Sequence, residues 1–461
     1  MSDNDHVTAP VSSRIIDAAA DGCEESRLLL RRRDFMALSA GFFAWAFAPR
    51  IADAATGQQP RLLIVLLSGG VDGLHVAVPA DDPAYAAARG AIALDRATML
   101  PLFQPDQKPG KRFLLHRSLP KFHSMFQSGE ASLVHAIAPP LHNRSHFDCM
   151  HNLQAGLPGG RPRSVTSGWL NRLMGVLPSS NPVRVGGALQ VGPMPLILSG
   201  EQPVLGWTPT TETRWPNFND QLLGLYRDTD TALHRHLSAG LAVSRIASQS
   251  TGQSLSTGNL TPLQTAFRGA ARLLAADDGP RIAALNVMGW DTHVSQIQTI
   301  TSLLSGFDTA LDDFRIAIGG AWSNTVVVCV TEFGRTARIN GTNGTDHGVG
   351  TVAFLAGGAV AGGKVHTDWP GLAPSQLIHH RDLRATIDTR SLFKGVLADH
   401  LGVARSLLDS QIFPQSRDVE PLRDLLKAPS ATMRNANKAA TAPTQPLATG
   451  IAQFRRETAV N

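Results

Sequence analysis

An α/β fold with a mostly parallel sheet covered by helices on both faces follows from the spacing of apolar residues along this chain. Two observations predict it. Five apolar runs of strand length recur: Leu62 to Leu67, Ser132 to Ala138, Ile282 to Met288, Val326 to Val330 and Val352 to Ala356. They are continuous rather than alternating, which is how strands buried on both faces read. Between them lie stretches of helical period, and strands alternating with helices imply crossovers in an α/β architecture.

The elements follow in order. Leu62 to Leu67 opens the sheet and runs directly into Ser68-Gly69-Gly70-Val71-Asp72-Gly73. After Ser132 to Ala138, Pro139 and Pro140 end the strand. Ser145 then stands where a helix N-cap belongs, with Asp148 three residues on. Helical patterns cover Ser145 to Ala155, Gly168 to Val176, Phe218 to Ala247 and Ser391 to Leu401. The clearest is Ser295 to Ile318, where Ile300, Leu304, Phe307, Leu311, Phe314 and Ile318 recur every three or four residues. Leu157 to Ser164 and Ser248 to Thr261 are loop-like in composition. Beyond Ala428 periodicity is lost, and an unstructured tail is expected over 427–461. No internal repeat is visible. One domain is expected over 60–426.

The 461 residues are 43% hydrophobic and 17% charged, which suits a globular chain with a sizeable core. The net charge of +5 is small for this length, and basic residues such as Lys111, Arg112, Arg161 and Arg163 are scattered, so no nucleic-acid footprint is read. Three cysteines, Cys23, Cys149 and Cys329, make no disulfide framework. Cys329 lies within an apolar run and reads as a small buried hydrophobe.

Near the start, Arg31-Arg32-Arg33-Asp34-Phe35-Met36 precedes the apolar run Ala37 to Ala48, and Ala52-Asp53-Ala54 offers a small-x-small cleavage site. This arrangement resembles a twin-arginine (Tat) export signal over 1–54. The run is shorter than the about 20 apolar residues that a membrane span needs. No later stretch is long and apolar enough either, so the mature part is expected to lack a transmembrane segment. The Tat translocase is an expected partner, and the periplasm or the exterior the expected location.

The polar residues of interest all follow strand ends, the rim where open α/β sheets bind ligands. Asp72 sits past two glycines, either as a turn former or as a hard oxygen ligand. Ser145 opens a helix, as a cap alone or as an anion-stabilising terminus. His142 and His146 are spaced i, i+4 like a helical metal pair, although His142 precedes the helix. Asp291 and His293 are two apart after Ile282 to Met288, a spacing that lets both face one metal. Glu332 ends the strand Val326 to Val330. Asp346 and His347 lie on a glycine-bounded loop. Carboxylates and imidazoles at several strand ends are what a metal-assisted hydrolase requires.

At these residues the chain resembles the domain-of-unknown-function 1501 family. The segments that carry the likeness are Leu66 to Leu74, Ser145-His146-Phe147-Asp148, Gly168-Trp169-Leu170, Gly289 to His293, Glu332 to Thr336, Gly344 to Gly348 and Gly362-Gly363-Lys364. That family is similar to the alkaline phosphatase and sulfatase superfamily. The resemblance implies a three-layer α/β/α sandwich, one or two divalent ions (Zn, Mn, Mg or Ca), and hydrolysis of a phosphate or sulfate ester, small or polymeric. It implies Ser145 as nucleophile, with Asp72 and Glu332 on one ion and Asp291, His293 and His347 on another. Arg144 or Arg335 would clamp the anionic oxygens. Two departures stand out. Glu332-Phe333 replaces the superfamily's frequent Asp-His, so either Asp346 completes the second site or one ion binds. No cysteine lies in the sulfatase pattern Cys-x-Pro-Ser-Arg. The alternative from another class is a non-catalytic exported binding protein that keeps the fold.

Overall fold

The structure, a computed structural model, describes residues 59–102, 112–159, 165–209, 217–248 and 260–428. The export signal expected in 1–54 and the tail from 429 onward lie outside them, as do Lys111, Arg161 and Arg163.

Twelve strands are present among these residues: β1 (Arg61–Ser68), β2 (Ala77–Pro79), β3 (Leu100–Pro101), β4 (Phe113–Leu115), β5 (Ala131–Ala138), β6 (Ala188–Val191), β7 (Val204–Trp207), β8 (Ile282–Met288), β9 (Thr325–Val330), β10 (Thr351–Ala356), β11 (Val365–His366) and β12 (Ile387–Asp388). Nine of them form one sheet in the order β11-β5-β10-β9-β1-β8-β6-β7, with β12 also on β5. Every pairing in that sheet is parallel except the two that β10 makes, with β5 and β9. A separate antiparallel sheet, β2-β4-β3, stands apart from it.

The central strand β1 shows why its sequence is apolar throughout. Leu63, Val65 and Leu67 belong to a core shared with Phe267 of the helix Pro262–Ala275 and with Phe307 and Phe314 of the helix Gln296–Ile318. Leu62, Ile64 and Leu66 belong to the opposite core, with Trp169 and Leu173 of the helix Trp169–Val176 and Leu392 and Leu397 of the helix Thr389–Leu401. Alternate side chains of a strand point to opposite faces, and here each face carries helices. The result is the three-layer α/β/α sandwich. Each such leucine contributes about 1.5–3 kcal/mol by burial, an upper range because unfolded chains already hide some surface.

The register then sets the site. Leu62 of β1 faces Ile282 of β8 on one side and Val326 of β9 on the other. Being parallel, β1, β8, β9 and β5 all end at one rim. The antiparallel β10 begins there, which brings the loop preceding Thr351 to the same edge. Among the described residues no helix is long and apolar enough to cross a membrane.

Candidate metal centre

Four segments meet at the carboxyl rim, and glycine makes the approach close enough. Gly69 has φ +127°, and a Cβ there would lie 2.5 Å from the backbone nitrogen of Asp291. Gly344 lies as tight, because a Cβ on it would meet the carbonyl oxygen of His293 at 2.1 Å. The turn after β1 is thereby pressed on the turn after β8, and the latter on the loop that carries His347.

Three imidazoles converge on one carboxylate oxygen. Asp291 Oδ1 lies 3.0 Å from His293 Nε2, 3.1 Å from His347 Nε2 and 3.5 Å from His146 Nε2. The opposite nitrogen of each ring faces an oxygen. His146 Nδ1 donates to Glu332 Oε1 at 2.7 Å, and His347 Nδ1 donates to the carbonyl of Arg144 at 3.0 Å. His293 Nδ1 lies 3.5 Å from Asp346 Oδ1. A carbonyl or carboxylate only accepts, so Nδ1 of His146 and of His347 carries the proton; in the neutral rings each Nε2 is then the atom left to bind an ion lying between it and Asp291 Oδ1. This is the orientation in which metal-binding histidines are held.

The fit to a metal rests on two observations. His146 Nε2 is buried and has no hydrogen-bond partner, a costly state for a polar atom unless something binds it. The separations also suit a shared ion: ligands about 2.0–2.1 Å from a tetrahedral centre sit about 3.3 Å from one another. His146, Asp291 and His347 place their ligand atoms within 4.8 Å of each other, and His293 Nε2 lies beside two of them, 3.0 Å from Asp291 Oδ1 and 3.0 Å from His347 Nε2. Imidazole nitrogens with one carboxylate suit a borderline transition ion better than Mg²⁺ or Ca²⁺, which prefer oxygen throughout.

Charge agrees with this arrangement. Burial works to raise the Asp291 carboxyl, but Arg335, His293 and His347 outweigh it and hold it below the usual range. The hydrogen bond to Glu332 raises His146 above the ordinary histidine value, while burial lowers His347.

The expected site residues fall into two groups. Asp291, His293 and His347 are brought together, with Asp346 beside His293. Glu332 is next to them, with its oxygens engaged by other partners. Its Oε1 accepts from Gly69 N at 2.8 Å and from His146, and its Oε2 accepts from Thr331 Oγ1 at 2.8 Å. Glu332 therefore orients the His146 ring. Arg335 is fully buried and donates to the carbonyls of Gly69, Gly70, Trp290 and Thr345 and to Asp291. Its guanidinium is occupied with fixing Asp291. Arg144 pairs with Asp382, through Nε at 2.9 Å and Nη2 at 2.5 Å.

Asp72 is placed differently. It is buried, caps the short helix Gly73–Val76 through Leu74 N at 3.1 Å, and pairs with Arg89 and His75. Its Oδ2 also accepts from Gln296 Nε2 at 2.5 Å. Its contacts lie in this network, not with Asp291. Ser145 is the N-cap of the helix His146–Ala155, its Oγ accepting from Asp148 N at 3.4 Å. His146 is the candidate ligand that the sequence reading left out of its metal set. Its signal is its position, the first residue of a helix that follows a strand end. Pairing it by spacing with His142 misleads, because His142 is exposed and outside the cluster.

Fold and site together define an α/β protein with a candidate His/Asp metal centre at the sheet rim. Residues 131–411 match the model of a family of proteins of unknown function, DUF1501, and the chain belongs to that family. No curated protein matches the sequence. Among solved structures, it is similar to the C-terminal periplasmic domain of EcEptC from Escherichia coli, in complex with Zn, at 9% identity over 82% of this chain and 95% of that one, TM-score 0.33. It is also similar to an alkaline phosphatase from the Antarctic bacterium TAB5, at 11% identity over 65% and 92% of the two chains, TM-score 0.30. A third, Ps i-CgsB, shows 13% identity over 67% and 68%, TM-score 0.29. At such scores the functional reading rests on the site's own geometry.

Proposed function

We propose that this chain is a metal-dependent hydrolase of phosphate or sulfate esters, exported by the Tat pathway, with one divalent transition ion, Zn²⁺ foremost, held by His146, Asp291, His293 and His347. The observation that carries the reading is the convergence of three Nε2 atoms on Asp291 Oδ1, one of them buried and unpartnered. The ion would supply Lewis-acid charge to an ester oxygen. Glu332 and the Arg144 carbonyl hold His146 and His347 in the binding tautomer, and Arg335 holds Asp291.

Ser145 is assigned as nucleophile. It adjoins a ligand at a helix N-terminus, where the helix dipole favours a developing negative oxygen. Attack forms the bond from Oγ to phosphorus or sulfur and breaks the bond to the alcohol, which leaves with the serine proton. Water then cleaves the seryl ester.

The test joins metal analysis of the purified protein to a screen of phosphate and sulfate esters. One bound ion per chain with turnover, abolished by Ser145→Ala, is the expected result. Turnover retained by Ser145→Ala removes the nucleophile assignment. Absence of both metal and turnover removes the hydrolase. A second reading is favoured by one feature: Asp72, expected on an ion, is enclosed by Arg89, His75 and Gln296. A binding protein that keeps the centre as a structural site would hold metal and turn over nothing.

A further inference from the structure

Beside the centre lies a cleft of about 440 Å³ whose walls are apolar. One wall is the helix His146–Ala155. Its residues Phe147, Met150, His151 and Gln154 line the cleft, the i, i+3, i+4, i+7 stripe of one helix face. The core-facing residues Cys149 and Leu153 lie on another side of the same helix. Leu196 and Met288 also line it, as do His146, Asp291 and Glu332 of the rim. Phe147 is 79% exposed and Met288 75% exposed, the two most exposed large hydrophobics among the described residues. Single exposed apolar residues are ordinary, but two flanking one cleft beside a candidate metal centre form a contact surface. The lining holds no lysine or arginine, so no permanent cation there would pair with a second or third anionic group along a ligand.

We propose that this cleft seats the organic half of the substrate and that the substrate is an aryl or alkyl monoester with one anionic head, not a polyanionic chain. The proposal rests on the hydrolase reading of the adjoining centre. The head would meet the imidazole cluster and the first turn of the helix, where N–H groups favour anions. The ring or alkyl group would lie along Phe147, Met150 and Met288. A cleft of this size admits a group of that kind.

Binding of phosphonates tests the proposal without requiring turnover. Phenylphosphonate and methylphosphonate carry the same head and are titrated by calorimetry into Zn²⁺-loaded protein. Phenylphosphonate is expected to bind about tenfold more tightly or better, from the apolar area it buries. Phe147→Ala and Met288→Ala are expected to reduce that preference to about threefold or less while leaving metal content unchanged. Both side chains are exposed, so neither change threatens the fold. Equal affinities, a preference untouched by both variants, or no binding of either phosphonate would each overturn the assignment. The metal analysis is read separately: a metal-bearing, ester-cleaving protein without the preference loses the substrate class alone, and a metal-free protein loses the hydrolase.

Discussion

His146 is held by a single strong contact. Its Nδ1 meets a carboxylate that is itself fixed by Gly69 N–H and Thr331 Oγ1, and its Nε2 is left bare. Removing the ligand and removing its support therefore have different consequences. His146→Ala deletes a donor and is expected to abolish tight metal binding. Glu332→Gln keeps a ring and a neighbour but takes away the charge that sets the tautomer. Loss of such an outer partner typically costs 10–100-fold in metal affinity. Competition against a chromophoric chelator measures both. Should Glu332→Gln bind metal as tightly as the parent, Glu332 does not work through His146. The residue scale is also where the sequence was least legible. Aspartate and glutamate at strand ends read alike, yet Asp291 presents an oxygen to three rings while Glu332 and Asp72 are enclosed by partners. Only the fold decides which carboxylate is enclosed, because those partners (Gly69 N for Glu332, Arg89 and Gln296 for Asp72) come from other segments.

Elements were more legible, because burial on two faces leaves a direct trace. The five apolar runs are strands within a residue of their expected ends, and the long helical pattern is the helix Gln296–Ile318. The failures have physical causes. β6 and β7 are only four residues each, too short for a periodic signal. The helical stretch from Phe218 breaks at Asp230, whose extended backbone (φ −152°) ends one helix while its Oδ1 accepts from Ala232 N and Leu233 N at 3.0 Å to begin the next. The helix Pro262–Ala275 went unread, though its Thr261/Gln264 capping box is present. β10 is antiparallel, a direction that apolar content alone does not encode. Among these elements, the first residue of the helix Gln296–Ile318 connects the rim. Gln296 Oε1 accepts from Thr292 Oγ1 at 3.0 Å and from Thr345 Oγ1 at 2.5 Å, and its Nε2 donates to Asp72. Thr292 lies between Asp291 and His293, and Thr345 lies two residues before His347. Gln296→Ala would leave two buried hydroxyls and a carboxylate short of a partner, at about 1–3 kcal/mol each. Metal affinity is expected to fall along with thermal stability. Added Zn²⁺ should then restore much of the lost Tm by mass action. A lower Tm with unchanged metal affinity would show that the network supports the fold alone.

Across the described residues, three histidines outside the centre, His116, His135 and His400, are buried in neutral form. His135 on β5 accepts from Ala136 N through Nδ1 at 2.8 Å and donates through Nε2 to Ala77 O at 3.0 Å. His400 donates to Arg61 O at 2.9 Å, and His116 accepts from Ser118 N at 3.1 Å. Burial is the largest cause in each case, and it lowers all three to about 4. In the unfolded chain they titrate near 6.5. Between pH about 4 and 6.5 the unfolded state thus binds more protons, so stability rises with pH across that window. It is fully present above about 6.5 and is lost as pH falls toward 4, at up to about 1.4 kcal/mol per pH unit for each group. At the rim, His146 is raised and His347 lowered, so those two pull in opposite directions. Urea unfolding of chelator-treated protein at pH 7, 6, 5 and 4.5 is expected to show a midpoint that falls steadily with acid. His400→Gln, whose amide can still donate to Arg61 O, should flatten the decline without unfolding the protein at pH 7. A midpoint constant from pH 7 to 4.5 would mean that these rings are not buried neutral, and that the two faces of the sheet are packed less tightly around them than the structure shows.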